Sequence, residues 1–257
     1  MNKNEQGALD LDADKQRALA LTHVSRETKE RLEKFVEELL SWQKKFNLVA
    51  SSQLPILWTR HVADSLQLVE IADRALQQTP FIPAQAGIQS VTSDARALAS
   101  GSPLTRGRTE NGAKVWVDFG SGAGFPGIVI ACALADTPGA KVHLVESVGK
   151  KANFLREVVQ KLGLPAIVHQ ERAEKFGESC AEAVDVVTAR AVAPLKVLCD
   201  QAFPLISKGA IGLFPKGQDV ASELTEAAKY WRLEASTVPS ITSAEGAIVI
   251  VRHIAPR

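Results

Sequence analysis

Only three cysteines, Cys132, Cys180 and Cys199, occur in the 257 residues. The number is odd and no C-x-x-C occurs, which excludes a disulfide framework and a zinc site of the usual spacing. The three are expected to be reduced, buried filler, and no metal is expected. Long apolar runs are also absent. Nothing approaches the roughly 20 residues that span a bilayer, and the start MNKNEQGALDLDADKQR lacks the apolar region of a signal peptide. The expectation is a cytoplasmic protein with no membrane partner. Excess charge is missing too: at a net +1 the chain has no global field to attract a polyanion. Any nucleic-acid contact must use local clusters such as Lys44-Lys45, Arg60-His61, Lys150-Lys151 with Arg156, Arg172, Arg190 with Lys196, and Lys216. Solvated surface charge accounts equally well for most of them.

What is present is enough apolar material, 46% of the residues, for a sizeable core. From Arg26 to Phe46 the apolar positions Leu32, Phe35, Val36, Leu39, Leu40 and Trp42 recur near helical spacing. Pro55 then opens a second helical pattern through PILWTRHVADSLQLVEIADRAL. Residues 1–76 are therefore expected to form a helical extension. Residues 77–113 are rich in Pro, Gly, Ser, Thr and Ala without sustained period, which predicts a disordered, exposed insertion. From Lys114 to the end, strands alternate with helices: KVWVDF, KVHLVE, AIVH, VDVVTAR, GAIGLFPK, RLEASTV and GAIVIVRHI as strands, with a helix ended by Gly163 after the second. ELTEAAKYW reads as a late helix. This alternation implies an α/β domain over 114–257 with a mostly parallel seven-stranded sheet and helices on both faces.

The turn after the first strand reads GSGAGFPG. From Gly120 it is G-x-G-x-G, suited to a nucleoside-binding methyltransferase; from Gly122 it is the G-x-G-x-x-G of dinucleotide binding. Gly120, Gly122 and Gly124 allow the backbone to approach a ligand closely. Glu146, at the end of the second strand, is placed to accept hydrogen bonds from both hydroxyls of a ribose. Both NAD and S-adenosylmethionine carry a ribose, so Glu146 does not choose between them. Machinery for hydride transfer is lacking: the single tyrosine, Tyr230, is followed four residues later by Glu234, so no Tyr-x-x-x-Lys pair exists. A sulfonium methyl is already activated and needs chiefly in-line positioning, which favours S-adenosylmethionine. Gly127 then becomes a helix-packing residue behind Pro126.

Beyond the fourth strand stands Thr188-Ala189-Arg190-Ala191-Val192-Ala193-Pro194. No Asn/Asp-Pro-Pro-aromatic tetrapeptide is present, which disfavours methylation of a base amine. No Pro-Cys is present either, which disfavours the covalent cysteine route to pyrimidine C5. A nucleophile with an available lone pair remains, and guanine N7, which carries no proton, is one such atom.

Several motifs together resemble the small-subunit ribosomal RNA methyltransferase G family. They are W-x-K-x-x-N-L at Trp42, Lys44 and Asn47-Leu48, R-H-x-x-D-S at Arg60-His61, Asp64 and Ser65, VDFGSGAGFPGI, LVESVGKKANFLREV, Arg172-Ala173-Glu174, ARA at 189–191 and KGQ at 216–218. The resemblance implies a Rossmann-like S-adenosylmethionine-dependent methyltransferase fold and methyl transfer to N7 of a guanine in 16S ribosomal RNA. The implied partner is that RNA or the small ribosomal subunit, and a monomer is expected. It also implies that Gly120, Phe125, Ala173-Glu174 and Arg190 contact S-adenosylmethionine, supported by Gly122, Gly124 and Glu146. Lys150, Arg172 and Lys216 would join Arg190 at the reaction centre and the RNA. The departures are Ala123 in the loop, Val49 after Asn-Leu and Ala189 before Arg-Ala.

Plainer accounts stand beside these roles. A planar guanidinium suits a phosphate or a guanine edge, but a structural salt bridge accounts for Arg190 and Arg172 as well. His61 and Asp64 read equally as packing partners one turn apart, Asn47 as a helix C-cap, and Trp42 and Trp58 as core. An NAD-dependent oxidoreductase, a non-catalytic RNA-binding protein and a methyltransferase of another RNA or a small molecule remain as alternatives.

Overall fold

The computed structural model describes residues 3–77 and 113–257; the expected insertion, apart from Gln77 and Ala113, lies outside the described residues. Helix α1 (Lys3–Leu21) is followed by α2 (Arg26–Gln43), whose start is capped by Ser25, with the side chain accepting from Thr28 N at 3.0 Å. The hydroxyl supplies a partner for one of the amide groups that no helical carbonyl reaches. The apolar stripe expected on α2 buries Leu32, Phe35, Val36 and Leu39. The helix stops at Gln43, short of the expected Phe46, because Gln43 Oε1 folds back to accept Leu48 N and Val49 N at 2.8 and 3.0 Å.

The second helical pattern is not one regular helix. A 3-10 turn spans Ser51–Ile56 with Pro55 inside it, a π-helical turn spans Trp58–Ala63, and α3 (Asp64–Gln77) completes the run. Asp14 on α1 stabilises the break: its Oδ2 accepts Trp58 N and Thr59 N at 2.8 and 3.0 Å. Apolar periodicity does not distinguish an α-turn from a π-turn, so this interruption is not legible in the local pattern.

From Val115 the expected alternation appears: β1 (Val115–Phe119), α4 (Gly127–Leu134), β2 (Lys141–Val145), α5 (Gly149–Leu162), β3 (Ala166–His169), α6 (Ala173–Ser179), β4 (Val186–Ala189), α7 (Leu195–Ile206), β5 (Ile211–Lys216), α8 (Val220–Ala227), β6 (Trp231–Pro239) and β7 (Ala247–Pro256). The short α6 is absent from the sequence reading. The late helix ends at Ala227, so Trp231 opens β6 instead of closing a helix. Gly163 ends α5 in the left-handed region at φ 60°.

The sheet runs in the order β3-β2-β1-β4-β5-β7-β6. The first five in that order are parallel, and β7 lies antiparallel between β5 and β6. Strand alternation divides β1 between two cores. Trp116 joins the core of α2 to α5, with Phe35, Ile128 and Phe154, while Val117 and Phe119 join that of α6 to α8, with Leu198 and Phe214. The N-terminal helices thus share a core with one face of the sheet, and Arg31 ties α2 to Asp136 through two 2.7 Å contacts. This brings residues 48–61 over the C-terminal edge of β1, where open α/β sheets bind ligands.

The three cysteines are free and buried, as expected, and burial pushes the Cys132 and Cys199 thiols up to about 12. Trp58 is buried. Trp42 packs against Phe46 and Phe154, the role expected for core aromatics. No helix among the described residues is long and apolar enough to cross a membrane, and no group of metal-ligating side chains occurs among them.

Candidate active site

The chain leaves β1 at Phe119 and turns through Gly120, which has φ +65°. A Cβ there would stand 2.6 Å from Val192 Cγ2, so a side chain would be strained by the conformation and would force Val192 to shift. The loop is anchored from below and from the side. Asp118, a single acid in the apolar strand VWVDF, is 1% exposed and accepts Gly127 N at 3.1 Å and Thr188 Oγ1 at 3.0 Å. Burial pushes its carboxyl up to about 7, against those hydrogen bonds. At Gly127 a Cβ would lie 2.3 Å from Leu144 Cδ2 and 2.6 Å from Asp118 Oδ2, which fits the packing role expected for this glycine. From the side, Glu146 Oε2 accepts Gly122 N at 2.9 Å while Oε1 accepts Val148 N at 2.7 Å.

Above this loop opens a cavity of about 420 Å³. Its floor is Gly120 to Ala123, Phe125 and Glu146; its far wall is Arg190, Ala191 and Val192; its roof is Leu48, Val49, Ala50, Gln53 and His61 from the helical segment. Ser147 and Lys151 complete the rim. Ala191 has φ +55°, an uncommon conformation for a residue with a Cβ.

Arg190 reaches across to the helical segment. Its Nη1 donates to the Arg60 carbonyl at 2.9 Å and to Asp64 Oδ2 at 3.0 Å, and its Nη2 meets His61 Nδ1. Burial pulls the guanidinium below its ordinary value, and Asp64 opposes that. The salt bridge open in the sequence reading is therefore present, and the same side chain still lines the cavity. His61 Nε2 faces Gln53 Oε1 at 2.8 Å. A carbonyl oxygen can only accept, so Nε2 carries the hydrogen and Nδ1 accepts from Arg190. Burial, with Arg190 and Arg60 nearby, lowers the imidazole to about 3, so it is neutral. Its ring packs on Phe125 with centroids 4.8 Å apart.

Of the residues anticipated from sequence, Gly120, Gly122, Phe125, Glu146 and Arg190 line this cavity. Gly124 lies within the loop but packs toward Ile128 and Phe35. The other anticipated residues are not among the lining residues. Arg172 is the exposed residue before α6, and Ala173 starts that helix. Glu174 accepts from Gln201 Nε2 at 2.8 Å, a bond that holds its carboxyl below the usual range. Lys150 is exposed with its Nζ 5.4 Å from the Phe46 ring centroid. Lys216 turns away to the Ala193 carbonyl at 2.8 Å and Glu223 at 2.7 Å, bracing the segment after β4. Asn47 accepts from Gln43 at 3.1 Å. Sequence reasoning missed Asp118 and Gln53; only the acid inside an apolar strand carried a visible signal.

A profile of the family described as rRNA small subunit methyltransferase G matches residues 28–82 and 99–254. Proteins named Ribosomal RNA small subunit methyltransferase G from two Bradyrhizobium strains are 48% identical over 93% of this chain and 90% of theirs, and 46% identical over 96% and 95%. The chain belongs to this family. It is accordingly a methyltransferase, and its cofactor is S-adenosylmethionine; the dinucleotide register of the glycine loop is set aside. Among solved structures, an rRNA methylase from Streptococcus thermophilus aligns with TM-score 0.40 and 13% identity over 54% of this chain and 86% of that one. That likeness is too faint to inform any residue's role.

Proposed function

We propose that the chain transfers the methyl group of S-adenosylmethionine to N7 of a guanine in small-subunit ribosomal RNA, as a cytoplasmic monomer. In this reading residues 114–257 carry the catalysis and the helices of residues 1–76 roof the site. The cavity fits the cofactor by its own features. Gly120 has no side chain where one would fill the floor, and Glu146 stands at the loop with its carboxylate oxygens still able to accept ribose hydroxyls. When bound, S-adenosylmethionine supplies an activated methyl on a sulfonium.

One observation favours a nucleophile that arrives with a free lone pair: the imidazole that lines the cavity is not free to act as a general base. His61 directs its Nε2 hydrogen to Gln53 and its Nδ1 lone pair to Arg190, and the Glu146 carboxylate is committed to the loop amides and, in this reading, to the ribose. Guanine N7 needs no deprotonation. Arg190 then contributes charge and orientation at the reaction centre, with the exposed Lys150 and Arg172 as outlying contributors to RNA binding and Lys216 bracing the segment that carries Arg190. Ala173 and Glu174 at the start of α6 would lie beside the adenine.

The test is transfer of tritium from labelled S-adenosylmethionine to naked 16S RNA, partly assembled particles and small subunits. Label at guanine N7 is expected in at least one; no transfer to any of the three overturns the reading. Arg190→Ala is expected to lower turnover by orders of magnitude, and near-normal activity removes Arg190 from the site.

A further inference from the structure

Asp64 does not line the cavity, yet it holds the residue that does. It is 7% exposed and begins α3, and its carboxylate is shared between two elements far apart in the chain. Oδ2 accepts from Arg190 Nη1 at 3.0 Å. Oδ1 accepts from Thr242 Oγ1 at 2.7 Å and Gln67 Nε2 at 2.8 Å, with Ser240 Oγ at 3.4 Å. Thr242 and Ser240 belong to the turn joining β6 to β7. Gln67 clamps that turn a second time, since its Oε1 accepts Ile241 N at 3.1 Å.

We infer that Asp64 is a positioning residue that aims Arg190 into the cavity, and that the β6–β7 turn, through Thr242, belongs to the same device. This rests on the placement of Arg190 at the reaction centre proposed above. A guanidinium has five N–H donors. The Arg60 carbonyl and Asp64 take both donors of Nη1, and His61 takes one of Nη2. Two donors remain, Nε–H and the second Nη2–H, and their direction follows from how the other three are held. Asp64 supplies the charged member of that set, and charged hydrogen bonds dominate orientation. The Thr242 and Gln67 donors hold the carboxylate so that Oδ2 faces Arg190. The ring of His61 over Phe125 fixes the third contact relative to the glycine loop. Asp64 thus joins Arg190, at the end of β4, to α3 and to the β6–β7 turn, and neither of those two elements lines the cavity.

A double-mutant cycle separates this role from simple support of the fold. Asp64→Asn is expected to lower kcat/KM for methyl transfer by about tenfold or more in the parent and by less than about twofold in an Arg190→Lys background, since the aim of a guanidinium no longer matters there. Equal losses in both backgrounds, or parent-level kcat/KM for Asp64→Asn, overturn the inference. Thr242→Val keeps shape and removes the distal hydroxyl. It is expected to lower kcat/KM by a few-fold in the parent and not in Arg190→Lys; full activity excludes the turn from the device, and the cycle holds even where Asp64→Asn folds poorly. An active Arg190→Ala overturns the underlying site reading, whereas an inactive Arg190→Ala beside an unaffected Asp64→Asn overturns only this inference.

Discussion

Asp118 accepts the N–H of Gly127 at 3.1 Å from beneath the glycine loop, and it does so as a carboxyl whose burial has raised it to about 7. A carboxyl raised in the folded state binds a proton that the unfolded chain releases between pH values of about 4 and 7. Its contribution to stability is full below the unfolded value and is lost as pH rises through the folded one. The parent protein is expected to lose stability from this group across that window. Asp118→Asn keeps an acceptor for Gly127 and a partner for Thr188 without titrating, so urea midpoints measured across the window are expected to vary less with pH than in the parent. An unchanged slope refutes the assignment. Asp118→Ala leaves Gly127 N–H and the Thr188 hydroxyl without their partner and is expected to cost about 1–3 kcal/mol.

Gly120→Ala meets two obstacles at once, a Cβ 2.6 Å from Val192 Cγ2 and a φ of +65°. The conformation alone costs about 1–2 kcal/mol. Because Val192 and Gly120 both line the cavity, the shift that relieves the clash must reshape the site. Titration calorimetry with S-adenosylhomocysteine is expected to show at least about tenfold weaker binding, about 1.4 kcal/mol. Parent-like affinity argues against this floor.

Glu146→Ala removes the acceptor for Gly122 N and Val148 N together. Two backbone donors near the cavity then lose their partner, and the ribose loses its acceptor. A loss of S-adenosylhomocysteine affinity of about 1.5–3 kcal/mol is expected, as for hydrogen bonds to a charged group. If calorimetry finds the loss below a factor of two, the ribose role of Glu146 fails even if the loop anchor stands.

Lys150 is exposed at the start of α5 and has no carboxylate partner among the described residues. A phosphate contact there predicts that Lys150→Ala weakens RNA binding and lowers the slope of log affinity against log salt by about 1. Cofactor affinity is expected to stay at the parent value. An unaltered salt slope removes Lys150 from the RNA surface.

Much of the fold was legible in short stretches of chain, because the information there is local. Alternation in VWVDF sends Trp116 to one core and Val117 and Phe119 to the other, and a glycine ends α5 because a left-handed residue is needed there. The glycine turn was legible for the same reason, as was Gly127, whose close packing follows from the strand-to-helix turn; that Glu146 accepts the amides of Gly122 and Val148 was not. The stop of α2 at Gln43, the π-turn before α3 and the start of β6 at Trp231 were not. The first two depend on a side chain that folds back or arrives from elsewhere, as Asp14 does at Trp58, and the third on pairing of Trp231 with Pro256 at the far end of the chain.

The sequence by itself determined the mostly parallel α/β scaffold, the strand-to-helix glycine turn and the family, all of which rest on contiguous motifs. Only the tertiary structure decided what Arg190, His61 and Asp64 do to one another. Arg190 and Asp64 are 126 positions apart, and no periodicity reports on neighbours at that distance. Their meeting depends on the helical segment packing over the edge of β1 and β4. That packing is set by the shared hydrophobic core, not by the residues of the ion pair.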